Sequence, residues 1–245
     1  MPPSDSSASR QREARARRGA HPPVLRVDPG TADGRAILRA AAQVLRGGAL
    51  VAFPTDTLFA LGADALSPRA VARVARAKGR GGDQPIPVLV SGVRMAHQVV
   101  RFSGAAGHLA RAFWPGGLTL VLPARAGLPR PLTGGTGTIG VRVPDHPLAL
   151  GLVRALGRPI TGTSANPTGA RDPRSPRGVA RALGTRVALI LDGGPTPRGR
   201  ASTVVSLRGN TVGILRVGAV SPAHIRRALA GETNPLRGRG VSDIG

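Results

Sequence analysis

Four short polar stretches hold most of the chemistry this sequence could perform. In Lys78-Gly79-Arg80-Gly81-Gly82-Asp83, two cations and three glycines share a loop between a helical pattern and an apolar run. Glycines let a backbone approach a phosphate closely, and Lys with Arg neutralises it. The order helix, loop, strand and the missing Gly-Lys-Ser/Thr exclude a P-loop. Thr161-Gly162-Thr163-Ser164-Ala165-Asn166 follows a strand pattern and offers small hydroxyls and an amide, donors suited to phosphate oxygens or a sugar. Pro54-Thr55-Asp56-Thr57 also closes a strand pattern, at the end where open α/β sheets hold ligands. Asp192-Gly193-Gly194-Pro195-Thr196 leads to Arg200-Ala201-Ser202-Thr203 at the mouth of another strand. Taken singly, each stretch also reads as an ordinary turn.

What is missing narrows the chemistry further. The chain has no Cys and no Tyr, which excludes a disulfide framework, a cysteine metal cluster and a thiol nucleophile. Neither HExxH nor a GxSxG elbow occurs. His21, His97, His108, His146 and His224 form no partner pattern, and His146, between Asp145 and Pro147, reads as a turn or helix-start residue. The carboxylates are too scattered for an acid/base pair. Catalysis here would rest on positioning and electrostatic stabilisation, which suits displacement at phosphorus.

Charge points the same way. Of the net +23, residues 25–230 hold +20, so the excess belongs to the body and not to the tails. Such a field attracts nucleotides, pyrophosphate or RNA, whether it arose by selection or by a coding bias toward Arg. Lys78 is the single Lys among 35 basic residues, a place where a compact ammonium is wanted and a planar guanidinium is not.

The elements that must position these groups alternate. Ile37, Ala40, Ala41, Val44 and Leu45 recur at helical spacing before Gly47-Gly48. Ser67-Pro68, Ser175-Pro176 and Ser221-Pro222 each pair an N-cap with Pro at the first helical position. Further helices are expected just before Phe113 and over 147–156. Strands are expected at 49–53, 86–90, 118–122, 139–143, 160–163 and 187–191, with a hairpin of 203–207 and 212–215 turning at Gly209-Asn210. The spacing places Lys78 on the apolar stripe of its helix and turns Arg142 away from the apolar side of its strand. Residues 1–23 read as a disordered basic tail, 24–230 as one domain and 231–245 as a short second tail. The expected fold class is α/β with a mixed sheet. No apolar run approaches the roughly 20 residues of a membrane span, and no signal-peptide core is present, so the expected setting is cytoplasmic.

The ordered set FPTDTLFALGADA (53–65), KGRGGDQPIPVLV (78–90), FWPGGLTLVL (113–122), TIGVRVPDHPLAL (138–150), ITGTSANPTG (160–169), LDGGPTP (191–197), ASTVVSL (201–207) and ILRVGAVS (214–221) resembles the YrdC-type L-threonylcarbamoyladenylate synthases. The resemblance implies a single-domain, twisted, mixed parallel/antiparallel sheet with flanking helices and a positively charged groove. It implies the reaction of L-threonine, bicarbonate or CO2 and ATP, with Mg2+ accompanying ATP, to L-threonylcarbamoyladenylate and pyrophosphate. The product would pass to tRNA-modifying threonylcarbamoyl transferase proteins, and contact with tRNA or double-stranded RNA is expected.

Carried over by motif, Thr57, Arg142, Gly162 and Ser202 would bind L-threonine, with Arg142 pairing its carboxylate by a bidentate fork. Lys78, Arg80, Ser164 and Asn166 would hold the ATP phosphates and the carbamate. Thr138 and Arg216 would join the nucleotide side, with Gln84 where Asn is usual and Asp172 where Ser is common. Gly81 replaces a usual Pro, and Leu89 stands where some relatives place a threonine-contacting His. Two other readings are a carbamoyladenylate-forming carbamoyl-transfer domain and a non-catalytic double-stranded RNA-binding protein.

Overall fold

Hydroxyls start most of the longer helices. The side chains of Thr31, Ser67, Ser103, Ser175 and Ser221 accept from the backbone N–H of Gly34, Ala70, Ala106, Gly178 and His224. Each satisfies a donor that the first helical turn leaves over, and each cap contributes about 1 kcal/mol. In this computed structural model the described residues are 21–231, apart from Arg80, Gly82, 195–199 and 209–210. The helices are α1 (Ala32–Arg46), α2 (Pro68–Lys78), α3 (Val93–Ala96), α4 (Gly104–Phe113), α5 (Arg130–Thr133), α6 (Pro147–Leu156), α7 (Pro176–Leu183) and α8 (Pro222–Leu229). The three Ser-Pro starts stand where the sequence places them, and so does α6. Helix α1 begins a turn before its expected apolar stripe, at Thr31. None of these helices is long and apolar enough to cross a membrane.

The strands are β1 (Val24–Arg26), β2 (Val51–Pro54), β3 (Phe59–Gly62), β4 (Val88–Leu89), β5 (Leu118–Pro123), β6 (Thr138–Arg142), β7 (Ile160–Thr161), β8 (Thr163–Ser164), β9 (Leu189–Asp192), β10 (Thr203–Arg208) and β11 (Thr211–Arg216). They form two mixed sheets where a single one was expected, in the orders β1-β9-β2-β3-β8 and β11-β10-β5-β6-β4-β7. The fold class, α/β with mixed pairing, holds. The split occurs inside the strand expected over 160–163. Its first half pairs with β4 and its second half with β3. Between them, Gly162 donates to Pro87 O at 2.7 Å, and a Cβ there would stand 2.6 Å from Leu89 Cγ. Only a residue without a side chain lets the two sheets approach this closely.

A bridge between Asp64 and Ile160 and the Thr161 hydroxyl, which donates to Leu61 O and accepts from Ala63 N–H, tie the sheets together at this point. Two apolar clusters flank the first sheet. Val51, Phe53, Leu189 and Leu191 pack with α1 and α6, while Leu50, Ala52 and Ile190 face the larger cluster shared with α2, α4, α7 and α8. This alternation along β2 and β9 is the period of two expected of a sheet covered on both faces. The hairpin strands β10 and β11 are antiparallel as expected. Their turn, Gly209-Asn210, lies outside the described residues, as does most of each predicted tail.

Candidate functional site

A cavity of about 410 Å³ opens where the two sheets meet. Its walls come from the β2–β3 loop (Thr55, Thr57, Leu58), from residues 85–89, from β5 and β6 (Thr119, Arg142), from Gly162 to Ser164, and from Asp172, Ser202 and Arg216. A second, shallower cleft of about 390 Å³ beside Arg73, Arg76 and Arg186 contains none of the residues singled out by sequence.

Arg142 anchors one wall. It ends β6, is 6% exposed, and donates from Nε to Gly116 O at 2.8 Å and from Nη1 to Thr57 Oγ1 at 2.8 Å. Its Nη2 is ion-paired with Asp56 Oδ1, an oxygen that also accepts the Asp145 N–H at 3.1 Å. The guanidinium plane is thus fixed from three sides before any ligand arrives. Thr57 is fixed in turn by Thr55, whose hydroxyl lies 3.0 Å from that of Thr57 and donates to Leu58 O at 2.7 Å. Across the cavity, the Ser202 hydroxyl lies 2.9 Å from that of Thr119, and Arg216 Nη2 reaches Ser202 O at 3.0 Å and Oγ at 3.3 Å.

The second group is centred on Lys78. Helix α2 delivers it at its last turn and stops at Gly79, whose φ of +64° is a left-handed conformation that glycine adopts without strain. Lys78 is 2% exposed, and its Nζ donates to Ser164 O (2.8 Å), Asn166 Oδ1 (3.0 Å) and Ser164 Oγ (3.3 Å). The Ser164 hydroxyl donates to Asn166 Oδ1 at 2.6 Å. The apolar stripe that α2 presents to the core carries its last residue inward, as the sequence spacing implied.

Lys78, Ser164 and Asn166 therefore meet, although 86 residues separate the first two. Thr57, Arg142, Gly162, Ser164, Asp172, Ser202 and Arg216 all line the cavity. Arg80 lies outside the described residues. Gln84 is exposed, and Thr138 is half-buried with its hydroxyl against that of Thr136 at 2.9 Å. Neither lines the cavity. Arg142, expected to point away from apolar surface, is buried, because polar partners from the β2–β3 loop and from Gly116 enclose it.

Asp56 was read within the polar stretch 54–57 but given no role of its own, and Thr119 was not singled out. A carboxylate in the loop that directly follows the apolar strand β2 was the available signal for Asp56, whereas nothing local marks Thr119. His146 stands at the N-cap of α6, as read from sequence, yet it is buried and its side chain does not cap the helix. Burial pulls its pKa below the usual 6.5, opposed by Asp56 and then Asp145.

Two mixed sheets, with a fixed arginine on one side of the cavity between them and a buried lysine behind the other, define a mixed α/β protein with two buried cations at the sheet junction. The chain belongs to the Sua5/YciO/YrdC family, whose model, described as "Telomere recombination", matches residues 43–218. It is 40% identical over 193 residues to the threonylcarbamoyl-AMP synthase of Pyrococcus abyssi, covering 78% of this chain and 57% of that one. The Bacillus subtilis threonylcarbamoyl-AMP synthase is 40% identical over 194 residues, with 77% and 55% covered. This chain thus spans little more than half the length of those two relatives. The Halorhodospira halophila threonylcarbamoyl-AMP synthase is 39% identical over 166 residues, with 67% of this chain and 86% of that protein covered. Among solved structures, P. abyssi Sua5 complexed with L-threonine superposes with a TM-score of 0.80 at 36% identity, over 90% of this chain and 65% of that one. Escherichia coli YciO gives 0.72 at 26% identity, over 81% and 96%. The family expected from the ordered motifs is the one found.

Proposed function

We propose that this chain condenses L-threonine, bicarbonate or CO2 and ATP into L-threonylcarbamoyladenylate, releasing pyrophosphate. The observation that carries the reading is one cavity lined by a pre-fixed Arg142, hydroxyls from Thr57 and Ser202, and Ser164, with Lys78 and Asn166 buried behind Ser164 and bonded to it. The first set matches an amino acid: Arg142 takes the carboxylate, while Thr57, Ser202 and the backbone at Gly162 surround the amine and side chain. The second set matches phosphoryl chemistry, with Arg80, two residues further along the sequence than Lys78, and with Arg216, Thr138, Gln84 and Asp172 assigned to the nucleotide.

In this reading threonine's amine adds to CO2 and loses a proton, giving a carbamate. A carbamate oxygen then attacks the α-phosphorus of ATP, and the bond to pyrophosphate breaks. Both reactants are anions. The protein's task is to bring them together and to offset the charge that develops, which needs no protein nucleophile. Mg2+ arrives with ATP as part of the substrate. The product, a mixed anhydride, would be consumed by threonylcarbamoyl transferase proteins acting on tRNA, in the cytoplasm.

The test is pyrophosphate release at fixed bicarbonate and MgATP, with and without L-threonine, with the nucleotide product identified by mass. Threonine-dependent pyrophosphate and a threonylcarbamoyl-AMP mass are expected. Pyrophosphate that depends on carbamoyl phosphate and ignores threonine would overturn the reading in favour of carbamoyl transfer. Salt-sensitive binding of duplex RNA without turnover would overturn it in favour of a binding module.

A further inference from the structure

Two buried polar atoms, Asp56 Oδ2 and His146 Nδ1, have no hydrogen-bond partner among the described residues, and Asp56 is the ion-pair partner of Arg142. Neither residue lines the cavity. Asp56 is 2% exposed and His146 8%, so water reaches neither side chain freely. The carboxyl sits one residue from the imidazole, because Asp56 Oδ1 accepts the N–H of Asp145 while pairing with Arg142. The ring is tightly enclosed. A Cβ on Gly193 would stand 2.8 Å from Leu148 Cδ1 and 3.3 Å from both His146 Cε1 and Pro54 Cγ. Orphaned buried polar atoms are costly, and two on side chains that interact through charge call for a shared purpose.

That purpose follows from what Arg142 must do. Asp56 satisfies one oxygen through Arg142 and leaves the other bare, an arrangement that is tolerable while the guanidinium compensates its whole charge. Once Arg142 shares its fork with a second carboxylate, it neutralises Asp56 less. Asp56 then needs another donor, and the buried, unpartnered imidazole that feels the Asp56 charge can supply it.

The geometry points to His146 as a positioning residue for the carboxylate substrate: its Nδ1–H takes up Asp56 Oδ2 when the fixed Arg142 also pairs with the bound carboxylate. His146 touches neither substrate nor cavity and acts only through Asp56. The charged groups that act on the ring are Asp56 from the β2–β3 loop and Asp145 on its own loop, with Arg142 of β6 paired to Asp56. Asp192 at the end of β9 is tied to Arg26 and to the Gly194 N–H. The ring's lowered pKa keeps it neutral near pH 7, which leaves one N–H to donate.

The inference rests on the threonine reading above, and the experiment separates the two. Threonine and a non-hydrolysable ATP analogue are titrated calorimetrically into the full chain and into His146→Leu, His146→Asn, Asp56→Asn and the double variant Asp56→Asn/His146→Leu, each checked by thermal melting. His146→Leu is expected to weaken threonine by about tenfold or more, the worth of a hydrogen bond to a buried charge, and to leave the analogue's affinity in place. His146→Asn, whose amide nitrogen overlays imidazole Nδ1, recovers most of the loss. On an Asp56→Asn background the His146→Leu change adds little, because the two act as one unit. Equal losses for Leu and Asn, parallel losses for threonine and the nucleotide, or additive effects in the cycle would overturn the role of His146. A wild-type chain that binds no threonine would overturn the proposed function itself, and this inference with it.

Discussion

Replacing Lys78 with Met keeps an unbranched buried stem and removes only the ammonium, so it separates support of the fold from catalysis. The hydrogen-bond acceptors named for Nζ are all neutral. None is stranded by the change: Ser164 O keeps the Asn166 N–H at 2.9 Å, and Asn166 Oδ1 keeps the Ser164 hydroxyl at 2.6 Å. The Thr168 N–H still reaches the backbone carbonyl of residue 78, at 2.8 Å in the native chain. A stranded acceptor costs about 1–3 kcal/mol, so with none stranded the stability change should stay under about 1.5 kcal/mol. At about 2–4 °C per kcal/mol for a chain of this size, Tm then moves by less than about 6 °C. Catalysis should respond very differently. A pre-aligned buried cation facing developing negative charge is worth about 2.7–4 kcal/mol, which predicts a loss of about 10²–10³ in threonine-dependent pyrophosphate release. The assay is turnover at saturating substrates beside a thermal melt of the same preparation. A large drop in Tm with wild-type turnover in the folded fraction would refute the reasoning and make Lys78 a structural residue.

Three further outcomes follow from the geometry. Asp56→Ala leaves the Arg142 charge buried without its counterion and should destabilise by about 3–5 kcal/mol in urea titration, well beyond Asp56→Asn, which keeps an acceptor; equal losses would contradict the ion pair's importance. Gly162→Ala forces a Cβ to within 2.6 Å of Leu89 Cγ and should cost about 1–3 kcal/mol, relieved when Leu89→Ala is added; a neutral single variant would mean the sheet junction yields. The lowered pKa of His146 means the unfolded chain binds that proton more readily, so its contribution to stability is complete above about pH 6.5 and is lost as pH falls. Stability measured over this range should flatten in His146→Asn, and an unchanged profile would exclude the ring as its source.

Local signals served well where a single segment decides the outcome. The pairs Ser67-Pro68, Ser175-Pro176 and Ser221-Pro222 start helices because cap and first turn are set within four residues. The stripe of α2 buries Lys78 because helical period alone puts it in line with Val71 and Val74. Strand β3 was missed, since Phe59–Gly62 follows a polar turn closely and has no alternation, both its faces being covered. The single sheet expected from the element order became two because chain order does not encode which neighbour each half of a short strand finds.

By itself, the sequence determined most of the element types, the Ser-Pro helix starts, the burial of Lys78 and, through the ordered motifs, the family. These depend on residues close together in the chain, or on a whole pattern compared with a family. Tertiary structure alone decided the break at Gly162, the Asp56–Arg142 pair, the Thr119–Ser202 contact and the enclosure of His146. Each of these joins segments far apart in the chain and depends on close packing between two sheets. No spacing along one segment can register such an approach.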